Sequence, residues 1–191
     1  MRKFLILLLT LSMGSLFLAV NSQSAAAWSR EANGCNPCVQ WGGGGSGSYY
    51  LRPSITAHSG WSDYIAEDIG KYNNIPGINN PTWSRTYTQS QALIEAEQVS
   101  LSSTLCGKTY FYWTGSNDLY YALIQYSSNK SYGGRNGASG NCNFDWTTMH
   151  EFGHSQGMGH SGFWTAIMNP SDNGVTNFHQ DDLNCMAAIY S

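Results

Sequence analysis

Charge is scarce in this chain. Only 11% of its 191 residues are Asp, Glu, Lys or Arg, and its nine basic residues form no stripe able to neutralise a row of phosphates, which excludes a nucleic-acid binder. Long apolar runs are missing after residue 20, so no later segment reads as a membrane span. There is no internal repeat, and the chain is therefore not an array of similar units. The Cys-x-x-Cys of "GCNPC" (Cys35, Cys38) has no second copy, which leaves a zinc-ribbon reading without its other half. A chain of this length holds one domain with a substantial core and not two ordinary ones.

What is present begins with "MRKFLILLLTLSMGSLFLAVNSQSAAAWS". Arg2 and Lys3 form a charged start, Phe4 to Val20 an apolar run, and Ala25 and Ala27 the small residues of a cleavage site. Residues 1–27 therefore read as a secretory signal peptide. An uncleaved anchor is the alternative, but Thr10, Ser12, Gly14 and Ser15 interrupt the run. Removal of Arg2 and Lys3 leaves seven basic residues against twelve acidic, a net charge of −5 with histidines neutral. Abundant Gly, Ser, Asn and Tyr with seven tryptophans fit a compact exported protein with a polar but weakly charged surface. The expected product is secreted and extracellular, free of the membrane once the signal is removed, and monomeric. In an oxidising compartment the five cysteines (35, 38, 106, 142 and 185) read as disulfide partners, with one left over.

Residues 28–48 are a Gly/Ser-rich lead-in or short pro-segment, and residues 49–191 the folded domain. "SYYLRPSIT" has strand composition, with Pro53 keeping it near an edge or forcing a bulge. "WSDYIAEDIGKYNNI" predicts an amphipathic helix with Trp61, Tyr64, Ile65, Ile69 and Tyr72 on one side and Ser59 or Ser62 as its cap. The clusters "WSRTYT", "ALIEAEQVSL", "KTYFYWT" and "LYYALIQY" predict successive strands of one sheet, the second also being compatible with a helix. "SSNKSYGGRNGASGNCN" is a loop, and its length suggests a functional or ion-stabilised excursion. "FHQDDLNCMAAIYS" predicts a terminal helix with Leu183, Met186, Ala187 and Tyr190 on its apolar side.

The chemistry concentrates in "TTMHEFGHSQGMGHS", which holds three of the five histidines. A helix starting near Asn143 or Asp145 and ending at Gly157, which can take the left-handed conformation, sets His150 and His154 about 40° apart and one turn from each other. Two imidazoles so placed can chelate one metal. Glu151 lies about 60° from His154, near enough to reach a water on that metal but badly placed to be a ligand. Trp146, Met149 and Phe152 point elsewhere, able to anchor the helix in the core. The turn at Gly157 returns His160 toward the same point. Three neutral imidazoles with one open position make a catalytic rather than a structural zinc site. Such a zinc lowers the pKa of a water and polarises a carbonyl, with Glu151 as the proton carrier. His58 and His179 lack this context and read as ordinary hydrogen-bonding histidines.

These residues resemble the metzincin zinc peptidases, and within them the matrixins. "HEFGHSQGMGHS" is similar to the matrixin zinc motif, Ser161 included. "AIMNP" resembles the Met-turn, with Met168 as an apolar floor, and "HQDDLNCMAAIY" resembles the terminal helix with its Asp181–Asp182 pair. Ser161 stands where adamalysins carry aspartate, and Asn169–Pro170 lacks the tyrosine of astacins and serralysins. No PRCGxPD-like switch occurs, so the usual latency device of the family is not expected. Calcium and a second zinc are common in the family. The loop "SSNKSYGGRNGASGNCN" offers no aspartate and histidine cluster to match, so calcium is left open and a second zinc is not expected.

The resemblance implies an α+β fold: a twisted, mainly five-stranded sheet packed on an active-site helix, with a Met-turn and a C-terminal helix. It also implies one catalytic zinc on His150, His154 and His160, Glu151 as general base and acid, and Met168 and Gly157 as supports of the site. Protein or peptide substrates would lie extended along a sheet edge, for which "KTYFYWT" is the candidate strand. A residue pocket is lined partly by 161–176. In such a fold Cys142 and Cys185 can pack together, implying a disulfide, with Cys106 paired to Cys35 or Cys38. The function expected is a secreted zinc endopeptidase. The alternative is an exported peptide-binding or adhesion module with a structural zinc, against which Glu151 argues, since a structural site needs no base.

Overall fold

The computed structural model describes residues 22–24, 40–41, 45–114, 118–134 and 140–190. Apart from 22–24, the signal-like segment lies outside them, as do Cys35, Cys38, most of the lead-in and the centre of the long loop. Among the described residues no helix is long and apolar enough to cross a membrane.

Five strands make the body of one sheet: β3 (Ser46–Leu51), β4 (Thr82–Arg85), β5 (Ile94–Val99), β6 (Gly107–Trp113) and β7 (Asp118–Ser127). Their order is β6-β7-β5-β3-β4, with neighbours parallel except β6, which runs antiparallel to β7. Two short strands complete it. β1 (Ser22–Ser24) pairs antiparallel with the outer side of β6, and β2 (Gln40–Trp41) pairs parallel with the start of β7. A separate parallel pair joins β8 (Tyr132–Gly133) to β9 (Cys142–Asn143).

Alternation sorts the faces of the sheet. One row of registered residues runs Tyr49, Ile94, Ala122, Phe111, and the next Leu51, Ala96, Ile124, Thr109. All eight are buried, as the period-two rule demands of a face covered by helices. The other face carries Glu95, Glu97 and Gln125, bound by the Arg52 guanidinium and by one another. Only one side of the sheet therefore carries the core.

Two helices lie on that side: α2 (Trp61–Asn73) and α3 (Phe144–Ser155). Ile65, Ile69 and Tyr72 of α2 are buried at the predicted spacing, but its N-cap is Gly60 at φ +81°, and neither Ser59 nor Ser62 caps it. "SYYLRPSIT" is not strand throughout. β3 stops at Leu51, and the one-turn helix α1 (Pro53–Thr56) follows, because proline has no N–H to lose in a first helical turn and its φ suits one. "ALIEAEQVSL" is a strand, not a helix, since Ile94 and Ala96 face the core while Glu95 and Glu97 face away. The C-terminal helix α4 (Gln180–Tyr190) buries Met186, Ile189 and Tyr190.

The cysteine pairing differs from the expectation. Cys106 is bonded to Cys142, Cα to Cα 5.8 Å, and Cys185 is disulfide-bonded as well, so Cys142 is not its partner. The reason lies in sheet order: Cys142 leads into α3 beside the entrance of β6, where Cys106 stands, and not over α4.

Candidate metal centre

Helix α3 begins where its local chemistry says it should. Asn143 is extended, its side-chain oxygen accepts from the Trp146 N–H, and Asp145 sits in the first turn. The far end closes at Gly157, whose φ of +91° suits glycine and whose N–H reaches the His154 carbonyl. Between these ends the helix is held from several directions. Tyr72 Oη donates to the Met149 carbonyl at 2.6 Å, Trp83 Nε1 to Gln156 Oε1 at 2.9 Å, and Trp41 Nε1 to the Ser155 carbonyl at 2.8 Å.

On this fixed rod, His150 and His154 face the same point, and the return after Gly157 brings His160 to it. The Nε2 atoms of His150 and His160 each lie 3.1 Å from Nε2 of His154. Nδ1 of His150 faces the Ile167 carbonyl at 2.8 Å, and Nδ1 of His154 the Met158 carbonyl at 2.9 Å. A carbonyl only accepts, so each Nδ1 carries the proton and each Nε2 presents a lone pair to its neighbours. Lone pairs turned toward one another call for a cation. Nitrogens around a tetrahedral zinc lie about 3.3 Å apart given bond lengths of about 2.0–2.1 Å, so the three imidazoles fit that ion. Among the described residues no other group of His, Cys, Asp or Glu could hold a metal. Burial disfavours protonation of all three rings, lowering His154 well below the usual histidine range and His150 to about 3.

Glu151 lies on the neighbouring face, 6% exposed. Thr109 Oγ1 stands 2.7 Å from its Oε2 and 2.9 Å from its carbonyl oxygen. A Cβ on Gly107 would fall 2.6 Å from Glu151 Cγ, so glycine there makes room for the side chain. Desolvation pushes the carboxyl up to about 8, against the opposing hydrogen bond from Thr109. A cation held by the histidines would favour the ionised form and so oppose this rise.

Below the histidines, Met168 is buried against α3, where a Cβ on Gly153 would sit 2.4 Å from Sδ. Its turn is held by Asp182, which accepts from the N–H groups of Ile167 (3.0 Å), Met168 (3.2 Å) and His179 (2.8 Å). Ser161 donates to Asp181, and its own N–H reaches the Met168 carbonyl at 2.8 Å. The cleft beside this group holds a cavity of about 460 Å³ between the entrance of β6 and residues 170–172.

The predicted His150, Glu151, His154, Gly157, His160 and Met168 all gather here. Trp146 does not behave as predicted. It lines the cleft, its ring 4.6 Å from that of His150, and stays outside the core cluster that Met149 and Phe152 join. One helical turn before His150, it shares that residue's face, a signal present in the spacing. Thr109, Gly107 and Asp182 were not legible as site residues, because their partners are distant in sequence. His58 bonds Gln98 and His179 accepts from the Asp181 N–H, and neither belongs to the cluster.

A mostly parallel sheet with an antiparallel edge, a buried helix bearing two imidazoles and a carboxyl, and a methionine turn beneath a third imidazole together define the metzincin class. The family model described as Matrixin matches residues 84–191, more than half of the chain, and the chain belongs to the matrixins. Membership implies a zinc-dependent metallopeptidase with protein substrates. No curated protein matches the chain closely enough to count as a relative.

Proposed function

We propose that this chain is an exported zinc endopeptidase in which His150, His154 and His160 hold the metal and Glu151 is general base and acid. Met168 and Gly157 support the site. The observation that carries this reading is the meeting of three Nε2 atoms beside a buried carboxyl at the foot of an open cleft. Bound zinc supplies Lewis acidity toward the scissile carbonyl and the attacking water. Glu151 takes the proton from that water and passes it to the leaving nitrogen. Thr109, hydrogen-bonded to Oε2, keeps the carboxylate turned to the cleft.

The substrate backbone lies extended along β6. β1 supports this, since it shows that the outer side of β6 accepts a strand in the antiparallel sense. β1 belongs to the segment read as a signal peptide, so cleavage after Ala27 removes it and frees the edge. Export and an open cleft then go together, and the mature monomer works on protein or peptide substrates.

The test is metal-dependent proteolysis. Purified mature protein should carry one zinc per chain and cut casein at internal bonds, lose this on chelation and regain it with zinc. Secreted chain should begin at Trp28. Proteolysis that persists in chelated protein shown to be zinc-free would rule out the metallopeptidase reading, and zinc binding without turnover would favour the binding module.

A further inference from the structure

The Glu151 carboxyl rests against strand backbone. A Cβ on Gly107 would lie 2.8 Å from its Oε1 and 2.9 Å from its Cδ, so the first residue of β6 is a wall behind one oxygen, while Thr109 Oγ1 holds the other. That wall stands where a sheet is least secure. β6 ends the row of five strands, Gly107 is its first residue, and Ser102, Ser103 and Thr104 just before it are exposed. Such ends open locally more readily than strand centres. Gly107 pairs with Tyr126, and the Cys106 carbonyl accepts from the Ser127 N–H at 2.9 Å and from Tyr132 Oη. These contacts run to β7 and β8, and none of them reaches α3. The tie to the helix is the disulfide. Cys106 adjoins Gly107, and Cys142 adjoins Asn143, the N-cap of the helix that carries Glu151 about two turns on. Without that bond the two cysteines are joined along the chain only through 36 positions.

We propose that the Cys106–Cys142 disulfide is a positioning element for catalysis: it holds the start of β6 against Glu151 and so fixes where the base stands. The inference rests on the peptidase reading and adds how its general base is kept in place. Strand and helix then move as one body, and the carboxylate keeps one position between Gly107 and Thr109. Displacing a reacting group by about 1 Å can cost about 100-fold in rate, so a bond that prevents a small shift matters to turnover. Metal binding does not depend on it. His150 and His154 take their orientation from the Ile167 and Met158 carbonyls, which lie on the other side of the site from β6 in the chain's return after α3. The stretch of β6 that already accepts a strand, Tyr110–Tyr112, also lies beyond the tethered end. Loss of the bond therefore acts on the chemical step more than on zinc or on substrate binding.

Cys106→Ala combined with Cys142→Ala tests this, since it removes the bond and leaves neither thiol beside the metal. Assayed with a fluorogenic peptide well below its unfolding transition, the zinc-loaded pair variant should have kcat lower by about tenfold and KM within about threefold of wild type. Its zinc content should stay at one per chain. In a Glu151→Gln background the same two substitutions should change the residual rate by less than about twofold, because effects that act through one residue do not add. Hydrogen exchange should quicken in the peptide 105–110 and not in α2 or β5. A crosslink that only stabilised the fold would lower Tm and leave kcat of the folded protein intact. Wild-type kcat in the pair variant, loss of its zinc, or an equal fall in rate with Glu151→Gln overturns the proposal and leaves the peptidase reading standing. Wild-type protein that cuts no peptide overturns both. Should the alanine pair not fold, Cys106→Val with Cys142→Ala, which restores apolar volume, is put through the same comparison.

Discussion

Glu151 works in a space that β6 makes for it. Gly107 leaves room for its side chain and Thr109 holds one carboxyl oxygen, both from a strand more than forty positions earlier. Two predictions belong at this scale. Glu151→Gln keeps size and most hydrogen bonding but removes the base, so kcat/KM should fall by at least about 10²-fold while zinc content and thermal stability change little. Wild-type turnover in a preparation free of contaminating protease would exclude Glu151 as the base. Gly107→Ala drives a methyl into Glu151 Cγ, and the carboxyl must shift. Steady-state kinetics should then show kcat/KM lower by about tenfold or more, with zinc content retained, because small misplacements of a reacting group are costly. An unaffected kcat/KM would show that this fit is not needed.

Among the elements, α3 is fixed at both ends. Its start packs Phe144 against Trp61 (4.7 Å) and Tyr126 (5.8 Å), tying α2 and β7 together. Its end is held by the tryptophan and tyrosine hydrogen bonds to Ser155 and Gln156. The Cys106–Cys142 disulfide joins the segment before this helix to the entrance of β6, across the cleft wall. Replacing both cysteines by serine should lower stability by about 2–4 kcal/mol in denaturant unfolding, and non-reducing peptide maps should recover Cys106 linked to Cys142. A free Cys106 would contradict the sheet geometry. The pairing was not legible in the sequence, because five cysteines and their spacings say nothing about which strand lies beside which helix.

For the whole molecule, the metal-binding cluster sets how the metal-free protein responds to acid. Burial lowers the pKa of His150, His154 and His160 below the ordinary 6.5, so the unfolded chain binds more protons than the folded one in the interval beneath that value. Their contribution to stability is present in full above pH 6.5 and is lost as pH falls toward the folded values, about 3 for His150. Chelated protein should therefore show a Tm that declines as pH is lowered from about 7 to about 4. Zinc-loaded protein should resist until the metal is released, since bound imidazoles cannot take up a proton. Equal acid sensitivity of the two forms would mean that these histidines are not the groups responsible.

The sequence by itself determined whatever depends on neighbours within a few turns. Asn143 and Gly157 bound α3, the spacing of four puts His150 and His154 on one face, and the return after Gly157 brings in His160, because helix geometry and a left-handed glycine are local. β4, β6 and β7 were legible as short apolar and aromatic clusters between turn residues, whereas the β5 segment also fitted a helix and β1, β2, β8 and β9 lie in segments read as signal, lead-in and loop. Tertiary structure alone decided that Thr109, at the end of a registered row across four strands, meets Glu151. It also decided that Asp182 of α4 holds the Met168 turn and that Cys106 joins Cys142. Each depends on strand order and register, which bring distant segments together and which no local pattern encodes.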